Sequence, residues 1–185
     1  MAAGHAVVLV AHSYGGAVIS NVDRDAGEIV GLVYVNGFAP ELGENCFGLA
    51  GMFPGSMLGE ETVRPVSRSD GTTDLYIAAD SFHDVFCQDV PASQAALLAA
   101  TQRPATEEAL VEPSGDLPLW KDVPAWFLIG EEDRIIPAAL QRYMAERAGA
   151  HRTIEIPGAS HAVPVAHPDA TTHLILEAAA VHATA

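Results

Sequence analysis

The sequence predicts an α/β protein with a parallel sheet, and three observations lead to this prediction. Short apolar segments that end in turn residues recur along the chain, as they do in buried parallel strands. Segments with helical periodicity separate or follow these strands, which is the order of a parallel sheet flanked by helices. One long stretch, residues 37–123, interrupts the alternation and is too long for a loop inside a compact domain.

Local sequence defines the elements of the predicted core. The strands are predicted at residues 6–10, 29–35, 125–129 and 153–156. The core helices are predicted at residues 16–24, 137–148 and 168–182. The last helix begins with Pro168 and Asp169, and both residue types are favourable in the first turn of a helix.

Residues 37–123 are predicted to form an inserted cap of helices. The first half of this stretch is rich in Gly, Pro, Ser and Asp, and the second half carries helical patterns at residues 81–87 and 92–100. Ligands of α/β proteins bind at the carboxyl ends of the strands, so the cap is expected to cover that edge. The predicted division is therefore a core of residues 1–36 and 124–185 and a cap of residues 37–123.

Composition excludes several function classes. A net charge of −15 repels phosphates, which disfavours nucleic acid and anionic membranes as partners. No apolar stretch reaches the length of a membrane span, and no Lys or Arg precedes the first apolar segment as in a secretory signal. Two cysteines, Cys46 and Cys87, are too few for a disulfide framework. We expect a cytoplasmic protein with free thiols.

The sharpest motif is the sequence VVLVAHSYGG at residues 7–16. An apolar β-branched run stops at a small-x-Ser-x-Gly-Gly turn, and a helical pattern follows. Such a tight turn strains Ser13 at its apex and requires small flanking residues, whose Cβ atoms would otherwise collide. The motif predicts a nucleophile elbow, with the Ser13 hydroxyl exposed and the backbone N–H of Tyr14 pointing to a developing oxyanion.

A serine hydroxyl needs a base within hydrogen-bond reach and a third group that orients the base. His161 is the predicted base because it follows the last strand and a Pro-Gly-Ala-Ser turn, above the carboxyl edge of the sheet. His12 is adjacent to Ser13, but its place in the elbow directs it away from the serine. We expect His12 to be a packing or pocket residue.

The predicted orienting acid lies in the loop after the 125–129 strand. This loop offers Asp133 and, immediately before it, Glu131 and Glu132. With Asp133 in this role, the chain order is Ser, Asp, His, the order of a hydrolase with a nucleophile elbow.

Four segments together resemble the α/β-hydrolase superfamily. They are the elbow, LVYVN at residues 32–36, FLIGEEDRIIP at residues 127–137 and IPGASH at residues 156–161. Within the superfamily the chain resembles small bacterial esterases related to the plant methyl-salicylate esterases and hydroxynitrile lyases. The resemblance implies Ser13, Asp133 and His161 as the triad, aligns Asp133 rather than either glutamate, and implies Tyr14 as the first oxyanion donor.

The sequence departs from this family in two places. Ala11 stands where the common elbow motif has glycine, which adds one methyl group. Family members also carry several strands, a first helix and a His-Gly loop before the elbow, and that loop supplies the second oxyanion donor. Because few residues precede Ser13 here, the chain is expected to correspond to the carboxyl-terminal part of such a hydrolase, with impaired activity.

The sequence thus predicts a serine carboxylesterase that acts on small apolar or aryl esters and needs no cofactor and no metal. A hydroxynitrile-lyase-type reaction is one alternative, for which Lys121 would be the cap lysine. A truncated, non-catalytic remnant is another. Several cap aromatics could line the pocket or belong to the core: Phe53, Phe82, His83, Phe86 and Trp120.

Two further expectations concern association and metals. An open apolar edge at residues 6–10 would recruit another chain, so we expect self-association through this edge. A metal site among four residues near the carboxyl end matches no zinc spacing; these residues are His161, His167, Asp169 and His173.

Overall fold

The computed structural model describes residues 6–182, with the backbone alone at His182. Residues 1–5 and 183–185, which the predicted core includes, lie outside the described residues. The core sheet has four parallel strands, which lie side by side in the same order as they follow along the chain. These strands are β1 (Val7–Ser13), β2 (Ile29–Gly37), β6 (Ala125–Gly130) and β7 (Arg152–Ile156). The predicted strands are all present, and β1 continues to Ser13.

Helices cover both faces of this sheet because its central strands are apolar on both sides. The core helices are α1 (Gly15–Ser20), α6 (Ala138–Arg147), α7 (Val163–Ala166) and α8 (Pro168–His182). On one face, Tyr34 and Phe127 stack at 4.7 Å between ring centroids in the cluster that includes Leu140 of α6. On the other face, Trp126 and Leu174 of α8 share a second cluster. This arrangement confirms the predicted α/β fold.

Helix α1 is shorter than the sequence pattern suggested. It ends at Ser20, where the side chains of Ser20 and Asn21 donate to the carbonyls of Gly16 and Ala17, each at 2.8 Å. These side-chain bonds compete with continued helix hydrogen bonding. The predicted continuation to residue 24 is therefore wrong, and a short 3-10 turn follows at Arg24–Ala26.

The cap stretch contains the predicted helices and also a small antiparallel sheet. Its helices are α2 (Cys46–Ala50), α3 (Phe82–Phe86), α4 (Ala92–Thr101) and α5 (Glu107–Val111). Its strands are β3 (Val63–Ser67), β4 (Thr73–Ile77) and β5 (Ala105–Thr106), which pair in that order. An Asp-Gly turn joins β3 to β4, and Gly71 takes the left-handed conformation with φ +90°. The core–cap boundaries stay a prediction.

Within residues 6–182, no helix has the length and apolarity needed to cross a membrane.

Strand β1 forms one edge of the described sheet, and two of its valines are prominently exposed. Val7 and Val10 are 43% and 41% exposed, respectively. Self-association through this edge stays a prediction.

We expect sedimentation velocity to show a dimer or larger species, because an unpaired strand edge offers free N–H and C=O groups to another chain. A Val10→Lys variant should shift the distribution toward monomer. The matched change at an exposed cap residue, Leu97→Lys, should leave it unchanged. A wild-type chain that sediments as one monomeric species would contradict the prediction.

Candidate active site

Ser13 lies at the carboxyl end of β1, in a turn that only small neighbours permit. Its φ is +57°, a left-handed conformation that non-glycine residues rarely adopt. A Cβ on Gly15 would lie 3.3 Å from the Ala11 Cβ, and one on Gly16 would lie 2.2 Å from the Phe38 carbonyl oxygen. The first turn of helix α1 therefore lies in close contact with the backbone just after β2, as a nucleophile elbow requires.

Asp133 and His161 form a completely buried pair. Asp133 follows β6 and His161 follows β7, so both loops leave the same edge of the parallel sheet. His161 Nδ1 lies 2.8 Å from Asp133 Oδ2, and neither side chain has exposed surface. Because a carboxylate oxygen accepts, Nδ1 carries the proton in this hydrogen bond. The other ring nitrogen, Nε2, is then the atom that can accept a proton.

The Asp133 carboxylate is fixed by three further donors. Its Oδ1 accepts from the backbone N–H groups of Ile135 and Ile136 at 2.8 and 2.9 Å. Its Oδ2 also accepts from Gln141 Nε2 at 2.9 Å. Sequence reasoning missed Gln141, a buried amide on α6, since nothing local marks it as a partner of the acid. These bonds satisfy a carboxylate that burial alone would strongly destabilise.

The backbone next to His161 is held by two other residues that the sequence did not reveal. Asn36, at the end of β2, donates from Nδ2 to the Ser160 carbonyl at 2.8 Å and accepts from the Gly130 N–H at 2.7 Å. Asp89 of the cap accepts from the Ser160 N–H at 3.0 Å. Asn36 thus joins the loop that carries Asp133 to the loop that carries His161, and its φ of +42° is consistent with an imposed position.

Ser13 and His161 line the same cavity under the cap, which has a volume of about 840 Å³. Among the described residues, His161 Nε2 has no hydrogen-bond partner, so the serine hydroxyl is not bonded to it. Such contacts are often long in a free enzyme. Most of the lining is apolar and includes Phe38, Cys46, Leu58, Leu75, Ile77, Phe82, Phe86, Leu98, Leu110 and Ile135. Tyr14 also lines the cavity, and its role as oxyanion donor stays a prediction.

The cap aromatics divide between the cavity and the packed interior. Phe82 and Phe86 line the cavity, whereas the described lining does not include Phe53, His83 or Trp120. Phe53 packs on Tyr143 with ring centroids 5.8 Å apart. Trp120 is buried and donates its indole N–H to the Pro40 carbonyl at 2.9 Å.

Two histidines that are candidate metal ligands lie beside carboxylates instead. His167 Nε2 lies 3.4 Å from Asp89 Oδ2, and His173 Nε2 lies 4.0 Å from Glu177 Oε2. In the described part of the chain, no three His, Cys, Asp or Glu side chains group closely enough to hold a metal.

His12 packs against His161, the predicted base, in agreement with the expectation that it would be a packing or pocket residue. Its Nε2 lies 2.8 Å from the His161 carbonyl oxygen, and the two rings are 4.5 Å apart between centroids. By exposed area His12 is only half-buried, yet burial is the main cause that lowers its pKa from 6.5 to about 4, with the neighbouring His161 ring second. The ring is therefore neutral near pH 7.

The lowered pKa of His12 predicts a pH-dependent loss of stability. The unfolded chain binds a proton at this residue near pH 6.5, but the folded chain binds it only near pH 4. The free energy of unfolding should therefore fall as the pH drops through this window, by about 2 kcal/mol once water screening of the exposed part of the ring is discounted. Below pH 4 this contribution should change no further.

Urea unfolding of the wild type and of His12→Gln at pH 7.5 and 4.5 measures this difference. The wild type should lose more stability than the variant, since glutamine cannot take up the proton. Equal losses in the two proteins would show that His12 titrates normally in the folded state.

Comparison with known proteins supplies the family. The model of the alpha/beta hydrolase family matches residues 2–174. Alpha/beta hydrolase nvfD of Aspergillus novofumigatus is 29% identical over 196 residues, which cover 95% of this chain and 71% of that protein. A carbendazim hydrolyzing esterase of a Nocardioides species is 52% identical over 44 residues, which cover 23% of this chain and 18% of that protein.

A solved structure shows the same fold. The methylesterase protein MES16 from Arabidopsis has a TM-score of 0.76 and 15% identity, covering 98% of this chain and 72% of that chain. At this identity the likeness concerns the fold alone, and it agrees with the resemblance to plant esterases. Since the family match spans most of the sequence, the protein belongs to the alpha/beta hydrolase family.

Proposed function

We propose that the protein is a serine esterase that cleaves small apolar or aryl esters through an acyl-enzyme. One observation carries the proposal: Ser13, in a strained elbow, and His161, hydrogen-bonded to buried Asp133, line one apolar cavity. This is the arrangement needed to activate a hydroxyl that is a weak nucleophile by itself. The esterase name of the Nocardioides protein supports the same chemistry.

The proposed reaction has two stages. Ser13 Oγ attacks the ester carbonyl while His161 Nε2 takes its proton, and His161 then returns the proton to the leaving alcohol. Asp133 holds Nδ1–H and stabilises the imidazolium that forms. Water, activated by the same base, then hydrolyses the acyl-serine. The N–H of Tyr14 is the proposed donor to the oxyanion in both stages.

The substrate class follows from the cavity. Its volume of about 840 Å³ lies within the usual range for small-molecule pockets, and its lining is mainly aliphatic and aromatic. Apolar acyl and alcohol groups can bury their surface there without leaving polar groups unpaired. Three charged residues also line it, and they carry opposite signs: Glu60, Arg103 and Glu107.

The lyase alternative is less well supported because Lys121 is placed elsewhere. The Lys121 ammonium pairs with Glu41 Oε1 at 2.5 Å and lies 5.7 Å from the centroid of the Trp120 ring. Lys121 is not among the described residues that line the cavity. A cap lysine that must reach the substrate is therefore missing from the described lining. Cyanide release from a cyanohydrin would distinguish this reaction from ester hydrolysis.

Ser13 should be the residue labelled by a fluorophosphonate probe. The wild-type chain should form one covalent adduct at Ser13, and Ser13→Ala should lose both the adduct and the hydrolysis of a p-nitrophenyl ester. Triad removal in related chemistry costs about 10⁴–10⁶ in turnover. Intact-mass spectrometry checks the adduct, and circular dichroism checks that the variant folds. An adduct that persists in Ser13→Ala would assign the nucleophile elsewhere, and an unlabelled wild type would favour the non-catalytic alternative.

Asp133→Asn should lower turnover by about 10⁴-fold, because an amide N–H facing Nδ1 favours the wrong imidazole tautomer. The matched controls are Glu131→Gln and Glu132→Gln, since both glutamates lie in the same loop with exposed side chains. We expect each control to retain turnover close to that of the wild type. Steady-state kinetics with the p-nitrophenyl ester measures the series. Greater damage from either glutamine variant would place the orienting acid at that position.

A further inference from the structure

We propose that His12 is a positioning residue for the base: its ring holds the backbone of His161, so the elbow that carries the nucleophile also sets the place of the base. The proposal rests on the proposed function. His12 directly precedes Ser13, and its contact to His161 joins residues 149 positions apart in sequence. Ser13 and His161 are thereby fixed to one another through a single side chain.

The direction of this hydrogen bond is set by chemistry. A carbonyl oxygen only accepts, so His12 Nε2 must carry the proton and donate it to the His161 oxygen at 2.8 Å. Near pH 7 the ring is neutral, since burial and His161 lower its pKa to about 4. The donor is therefore present in the neutral form, and no second cation lies beside the base when His161 takes a proton.

The ring of His12 is also packed so that it cannot easily turn away. Phe86 of the cap lies edge-on to both histidines, with ring centroids 6.2 Å from His12 and 4.9 Å from His161. His161 has no exposed surface. Replacement of the donor would leave the carbonyl oxygen of the buried His161 without this partner, which is unfavourable for a backbone acceptor.

Other bonds would keep the fold in place if the His12 contact were lost. Asn36 and Asp89 hold the backbone of Ser160, immediately before the base. Removal of the His12 donor should therefore change the position of His161 locally while the loop stays attached. A shift of about 1 Å in a reacting group can cost roughly 10²-fold in rate. Loss of the donor should thus lower the reaction rate of Ser13 more than it lowers the free energy of unfolding of the chain.

The test compares three variants of the full chain. His12→Gln keeps an N–H at nearly the same reach, whereas His12→Phe keeps a ring without a donor. His83→Phe is the matched control, because His83 Nε2 makes the same type of contact, 2.8 Å from the Val90 carbonyl, within the cap. The first readout is the rate of Ser13 labelling by the fluorophosphonate. The second is the downfield proton NMR resonance of His161 Nδ1–H, assigned by its loss in His161→Gln.

We expect His12→Phe to label about 10²-fold more slowly than the wild type and to lose the downfield resonance. His12→Gln should label within about threefold of the wild type and keep the resonance, because the hydrogen bond is retained. His83→Phe should behave like the wild type in both readouts. If His12→Phe does not fold, His12→Leu, which also lacks a donor, replaces it.

Two results would overturn the proposal. One is that the variant without a donor is labelled at the wild-type rate and keeps the His161 Nδ1–H resonance. The other is that His12→Gln and the variant without a donor lose labelling rate and resonance to the same extent. If wild-type Ser13 takes no label, the esterase proposal fails separately and the resonance alone decides. Its persistence without the His12 donor would then reject the positioning role.

Discussion

The structure depends on one interaction, the buried hydrogen bond between Asp133 and His161. A carboxylate with no exposed surface is stable only if its oxygens are fully matched by donors. Two backbone N–H groups after Asp133 and the amide of Gln141 supply that match. The helix α6 that carries Gln141 must therefore start where it does, and the loop after β6 must turn tightly enough to offer its N–H groups. The local fold on this side of the site follows from the need to supply hydrogen-bond donors to the Asp133 carboxylate.

The cap is part of the same constraint. Gln88 donates to the Glu132 carbonyl at 2.8 Å, and Arg134 donates to the Asp84 carbonyl at 3.0 Å, so the cap is bonded to the loop that holds the acid. Asp89 accepts a hydrogen bond from the backbone N–H of Ser160, immediately before His161. The cap and the loops that carry Asp133 and His161 thus form one hydrogen-bonded unit. Under the proposed function, the cap that covers the cavity is therefore hydrogen-bonded to the loops that carry Asp133 and His161.

The sequence could predict those parts of the fold and site that depend on local residue patterns. The apolar runs predicted the four core strands, Pro168 and Asp169 predicted the start of α8, and the small residues around Ser13 predicted the elbow. The pairing of Asp133 with His161 came from chain order together with family resemblance. The hairpin in the cap was missed, although its Asp-Gly turn is a recognised local signal.

The remaining contacts depend on residues that are distant in sequence. Asn36 lies 124 positions from the carbonyl it holds, and His12 lies 149 positions from its own acceptor. Nothing in the local sequence around an asparagine after an apolar strand, or a histidine before a serine, indicates which residue it will bond to. Only the folded sheet, which brings the carboxyl ends of its strands to one edge, makes these pairs adjacent.

Cys46 is a second side chain of nucleophilic type in the cavity, and its buried environment keeps it unreactive. Cys46 lines the cavity that Ser13 also lines, but burial raises the pKa of its thiol to about 12. The reactive form of a cysteine is the thiolate, so at neutral pH this side chain stays protonated and poorly reactive. An electrophile that enters the cavity thus meets the Ser13 hydroxyl, with His161 in the same lining, and a thiol that stays protonated. Under the proposed function, oxygen is therefore favoured over sulfur in this cavity, the reverse of the intrinsic order of the two atoms.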